Sequence, residues 1–145
     1  MTIHRMDHVG IVVEDLAAAV AFFVELGLEP EGEATVGGPW ADDLLGLDGV
    51  RADIVVVRTP DGHTRVELST FYSPATIGTA QKAPVNTPGT TRLTFVVDDV
   101  EDVLDRLRAQ GAELVGTVAR YEDIYRYCYV RGPDGILIGL VEELH

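Results

Sequence analysis

Cysteine is almost missing from this chain: Cys128 is the only one in 145 residues. That excludes an internal disulfide and any thiolate-rich metal cluster within one chain, and it suits a reducing compartment. Positive charge is also scarce. Eleven Lys and Arg stand against 24 Asp and Glu, for a formal net charge of −13, and no basic cluster offsets the surplus. Phosphate backbones and anionic headgroups are therefore repelled, so nucleic acid is not an expected partner. Long apolar runs are lacking too. The longest, Leu16 to Leu28, is broken by Glu25 and Gly27 and falls well short of a membrane span, and no basic segment leads into an apolar run at the N-terminus. A soluble cytoplasmic protein with no membrane partner is the expectation. With 46% hydrophobic and 24% charged residues, the chain can bury the core of one ordinary domain, which argues against disorder.

The chain repeats itself. His8 to Glu29 (HVGIVVEDLAAAVAFFVELGLE) lies over Arg92 to Glu113 (RLTFVVDDVEDVLDRLRAQGAE) at a constant offset of 84, without a gap. Val12-Val13 meets Val96-Val97, Glu14-Asp15 meets Asp98-Asp99, Gly27 meets Gly111, and Gly32 meets Gly116. Further on, Arg58-Thr59-Pro60-Asp61-Gly62 matches Arg131-Gly132-Pro133-Asp134-Gly135 at an offset of 73, so the first half carries about eleven extra residues around Val36 to Val50.

Each half reads as a strand, a helix and further strands. The period-two pattern around Val9, Ile11 and Val13 predicts a first strand buried on both faces or nearly so. Asp15 is placed to cap the next helix, as is Asp98 or Asp99 in the second half. Val100, Val103, Leu104 and Leu107 form one helical stripe that Gly111 ends. Ile54 to Thr59 with Thr64 to Thr70, and Tyr125 to Arg131 with Ile136 to Val141, read as hairpins around Pro-Asp-Gly turns. The modules are expected at roughly 1–72 and 91–145, joined by a Pro- and Thr-rich linker over 73–90.

The offset, the valine-acid-acid step and the paired Pro-Asp-Gly hairpins resemble the vicinal oxygen chelate superfamily over nearly the whole chain. Its members include glyoxalase I, methylmalonyl-CoA epimerase, extradiol dioxygenases, fosfomycin-resistance enzymes and bleomycin-binding proteins. The resemblance implies an α+β fold in which two tandem βαβββ modules curl their sheets into a cup around a divalent metal, and in which chains commonly pair as homodimers. Strand parity then sorts the side chains. Val9, Ile11 and Val13 suit the helix side, and Met6, His8 and Gly10 the cup. Leu93, Phe95 and Val97 go under the second helix, leaving Arg92, Thr94 and Val96 toward the cup. Glu67 falls on the polar side of its strand. Cys128 and Val130 suit the core, and Tyr125, Tyr127 and Tyr129 take the cup face.

Members that isomerise carbonyl compounds supply a His, a Glu or Gln, a second His and a Glu to the metal. His8 and Glu67 match the first two positions. The third is Arg92, and the fourth is Gly139, or Leu140 in a register shifted by one. None of these can hold a cation, and Glu142, the nearest carboxylate, has the opposite parity to Gly139. A divalent metal at His8 and Glu67 is thus disfavoured, since a catalytic ion usually takes three or more protein ligands.

A guanidinium at position 92 offers a fixed cation instead. Two readings stand: Arg92 and Glu67 form a structural ion pair with His8 as a core histidine, or Arg92 binds a carboxylate, enolate or phenolate while Glu67 or His8 moves a proton. Tyr121, Tyr125, Tyr127 and Tyr129 either contact a ligand or serve as ordinary half-buried strand residues. Trp40, after Gly37-Gly38-Pro39, suits a lid over the ligand or a dimer interface. Arg126 is expected to pair with Glu122 or Asp123, Cys128 to be core rather than a catalytic thiol, and His4, His63 and His145 to be solvated. The expected function is glyoxalase-like lyase or isomerase chemistry on a small oxygenated molecule, anionic or phenolic. The alternative is a non-catalytic binding protein of the bleomycin-resistance type, and a metal-dependent dioxygenase ranks below both.

Overall fold

The structure, a computed structural model, describes residues 2–78 and 83–144. The chain divides into two units, Met1–Gly78 and Thr79–His145, each with its own four-stranded sheet and its own helix against it. Together they make an α+β fold.

In the first unit, β1 (Val9–Val12) leads to α1 (Leu16–Leu26), then β2 (Glu29–Gly37), α2 (Pro39–Leu45), β3 (Arg51–Arg58) and β4 (Arg65–Ser73). The strand order is β1-β4-β3-β2, with β1 parallel to β4 and the other pairs antiparallel. Helix α1 starts at Asp15, whose carboxylate accepts from the Ala18 amide at 3.0 Å. It buries Ala19, Phe22, Phe23 and Leu26, the i, i+3, i+4, i+7 stripe of an amphipathic helix. Val57, Val66 and Leu68 answer from the sheet, and Phe22 and Phe23 meet edge to face at 5.6 Å between ring centres. Removing the cap by Asp15→Ala is expected to cost about 1 kcal/mol of unfolding free energy. Chemical denaturation checks this, and an unchanged midpoint would show that the cap contributes nothing.

The second unit repeats the plan: β5 (Arg92–Val96), α3 (Val100–Ala109), β6 (Glu113–Tyr121), β7 (Tyr125–Arg131), a 3-10 turn (Pro133–Gly135) and β8 (Leu137–Glu143). Its order is β5-β8-β7-β6, again with the first and last strands parallel. Asp99, not Asp98, caps α3, accepting from the Asp102 amide at 3.2 Å. Val100, Val103, Leu104 and Leu107 are all buried, as their spacing predicts, against Cys128, Val130, Ile138 and Leu140. Cys128 is 2% exposed, and burial, the leading cause, pushes its thiol up. It is a core residue.

Several expectations need correction. Strand β1 is buried on one face only: Val9 and Ile11 are half-buried while Gly10 and Val12 are exposed, because α1 covers just one side of the sheet. His8 stands one residue before β1 rather than within it. The extra residues of the first half build α2, where the second half has only a tight turn between β6 and β7. Arg126 pairs on the helix side with Glu101 at 2.7 Å and Glu142 at 3.4 Å, whereas Arg120 takes Asp123. Parity explains the exchange, since Arg126 sits opposite Glu142 in the β7–β8 register. The segment assigned to the linker begins inside β4, which runs through Ser73. His145 lies outside the described residues.

Candidate functional site

Each unit presents one polar sheet face away from its helix. On the first, the alternation of β4 buries Val66, Leu68 and Thr70 and turns Glu67 the other way, half-buried. His8 reaches it, with Nε2 at 3.5 Å from a Glu67 carboxylate oxygen. The other ring nitrogen, Nδ1, is 2.8 Å from Asp7, which Arg5 also holds at 3.0 Å. The hydrogen bond from His8 first, and Arg5 after it, keep the Asp7 carboxyl below the usual carboxylate range. An ionised Asp7 accepts the Nδ1 proton, so the lone pair of a neutral His8 ring sits on Nε2, aimed at Glu67. These residues line an open depression of about 360 Å³, with Arg65 and Glu31 paired at 2.9 Å on its other side.

On the second unit, one face carries a ladder of polar rows fixed by register. Arg92 lies beside Leu137, Thr94 beside Gly139 and Tyr129, and Tyr127 beside Val141. The Tyr127 and Tyr129 hydroxyls are 2.9 Å apart, and Thr94 Oγ1 is 3.3 Å from the Tyr127 hydroxyl. The Arg92 guanidinium carbon sits 5.4 Å from the centre of the Tyr129 ring, a cation–π contact. Within its unit and among the described residues, Arg92 has no carboxylate at ion-pair distance. The Tyr129 phenol is raised above its ordinary value, by the hydrogen bond to Tyr127 first and by burial second, while Arg92 pulls the other way. It stays protonated at neutral pH. Tyr125 belongs to a separate pair, stacked on Tyr121 at 6.3 Å between ring centres.

The structure thus brings His8 to Glu67 in one unit and Arg92 to Tyr127 and Tyr129 in the other. Trp40 stands on α2, 61% exposed. Asp7 and Thr94 are the residues that sequence reasoning passed over. Asp7 had its adjacency to His8 as a signal, whereas Thr94 had only its parity.

A divalent metal does not fit the second unit's share of the ligand positions. Arg92 is a cation, and a Cβ built on Gly139 would lie 2.6 Å from Thr94 Oγ1 and 3.0 Å from Tyr129 Cε1, so no side chain stands there without displacing them. Glu142 is spent elsewhere, accepting from the Val100 amide at 2.9 Å and from Arg126. Among the described residues, no three His, Cys, Asp or Glu side chains are grouped to hold an ion.

This pair of helix-backed sheets, built on one repeated plan, has counterparts among known proteins. The model of the Glyoxalase/Bleomycin resistance protein/Dioxygenase superfamily matches residues 5–140, and the chain belongs to that family. A glyoxalase family protein from Bacillus cereus is 50% identical, with a TM-score of 0.95 over 100% of this chain and 97% of its own. TnmS3, an antibiotic binding protein from Streptomyces sp. CB03234, is 23% identical at a TM-score of 0.60, covering 99% and 98%. FosX, the fosfomycin resistance protein of Listeria monocytogenes, solved with Mn(II) and sulfate, is 14% identical at 0.61, covering 98% and 92%. The last two share the fold. Among the described residues, no helix is long and apolar enough to cross a membrane.

Proposed function

We propose that this protein binds a small oxygenated organic molecule, anionic or phenolic, on the tyrosine face of its second unit, with Arg92 as the fixed cation in place of a metal. The observation that carries this reading is an exposed guanidinium, without a carboxylate partner among the described residues of its unit, set against a Tyr129 ring and beside protonated hydroxyls. Charge and hydrogen-bond donors of one polarity suit an anionic oxygen. Calorimetric titration with benzoate tests it. Binding is expected for the wild type and about tenfold weaker for Arg92→Gln, as befits a lost charge-assisted hydrogen bond. Equal affinity in the two proteins would sink the reading.

A second reading adds catalysis and rests on the first unit alone. Asp7 fixes the His8 ring and leaves its Nε2 lone pair beside Glu67, a pair suited to abstracting a proton next to a carbonyl in lyase or isomerase chemistry. The competing view, a binding protein without turnover, draws support from the antibiotic-binding relative. A cytoplasmic homodimer belongs to either reading, and β2 and β6, each at one edge of its sheet, offer backbone groups for pairing.

A further inference from the structure

Gly139 is more than a missing ligand. Beside it, Thr94 and Tyr129 occupy the space that any side chain at this position would need, since its Cβ would approach Thr94 Oγ1 to 2.6 Å and Thr94 Cγ2 to 3.1 Å. The room is filled by hydroxyl-bearing residues. Thr94, Tyr127 and Tyr129 form an open chain of two hydrogen bonds, at 3.3 Å and 2.9 Å. Three hydroxyls bring three protons, and two links use two of them. One O–H is therefore left to donate outside the chain. The row that carries Tyr129 lies next to the row of Arg92, and Arg92 and Thr94 are both exposed. One row beyond Tyr127, the stacked Tyr121–Tyr125 pair gives a flat aromatic wall, about 7 Å further along the strands.

We propose that this three-hydroxyl chain over Gly139 is a binding site for the phenolate oxygen of an aryl compound, with Arg92 neutralising its charge and Gly139 the position that determines this specificity. The proposal rests on the function proposed above and narrows it. A phenolate offers one charged oxygen, which matches one free O–H and one neighbouring guanidinium, and its ring suits the tyrosine wall. Binding in this form releases the phenol's proton to solvent. Tyr127 is the central link, and losing its hydroxyl interrupts the chain while leaving the ring in place.

Para-nitrophenol is the probe, because its visible absorption belongs to the phenolate. Bound to the wild type, it is expected to ionise at lower pH than in free solution. Tyr127→Phe and Thr94→Val, both nearly isosteric, are expected to bind it about tenfold more weakly and to move its ionisation back toward the free value. Gly139→Ala is expected to act in the same direction by displacing Thr94, and thermal melts establish that each variant folds. Unchanged affinity and ionisation in both Tyr127→Phe and Thr94→Val overturn the hydroxyl chain. If benzoate binds through Arg92 but para-nitrophenol does not bind, the phenolate assignment falls while the broader reading stands. If neither probe binds the wild type, both fall.

Discussion

Gly139→Glu is expected to lower stability by about 3 kcal/mol or more rather than to rebuild a metal site. The first carbon of the new side chain already collides with Thr94 and with the Tyr129 ring. Threonine branches at Cβ, so turning it about χ1 leaves Oγ1 or Cγ2 facing the intruder, and Tyr129 is tied to Tyr127. A carboxylate would add the cost of placing a charge on a buried stretch of β8. Thermal melts with and without Mn(II), Ni(II) or Zn(II) check the prediction. A wild-type melting temperature would show that the position tolerates a side chain, and stabilisation of the variant by any of these ions would show that it retains the capacity to ligate. The collision has an internal control: Gly139→Ala is expected to recover much of its loss when Thr94→Ala removes both branches, with a coupling of about 1 kcal/mol in a double-mutant cycle.

The second large effect is expected at Glu142, which a reader hunting for metal ligands would nominate first. Its carboxylate accepts from the Val100 amide at the start of α3 and from Arg126, which in turn holds Glu101 in the same helix turn. One side chain thus fastens the beginning of α3 to β8. Glu142→Ala leaves a helix amide and a half-buried guanidinium without this acceptor, an expected loss of about 2 kcal/mol. Urea denaturation measures it, and Glu142→Gln, which can still accept from Val100, is expected to lose less. Equal losses in the two variants would show that the ion pair, not the helix amide, is what matters.

Much of the fold was legible because it is written twice. The offset between the halves marks equivalent strands, caps and turns, and the stripes of α1 and α3 follow from spacing alone. Strand parity also placed Glu67, Arg92 and the tyrosines on their faces, since alternation is a local property of a strand. Partners across a sheet are less legible. Arg126 has acidic neighbours in sequence at Glu122 and Asp123, yet its partners come from α3 and β8, and only the register reveals them. The same holds for Thr94, which gains its place from the coincidence of two registers at Gly139. His8 was legible as a residue type, but the role of Asp7 depends on which ring nitrogen it engages. Helix α2 escaped because a seven-residue element has little periodicity to show.

In both units the opening strand lies parallel to the closing one, β1 against β4 and β5 against β8. A chain emerging from a ribosome therefore holds α1 with only part of its cover until β4 has been made. Phe22 and Phe23 then wait for the buried face of β4, with Val66 and Leu68, the last strand of their sheet to be synthesised. The window of exposure to chaperones, and to aggregation, is set by strand order as much as by the apolar surface itself.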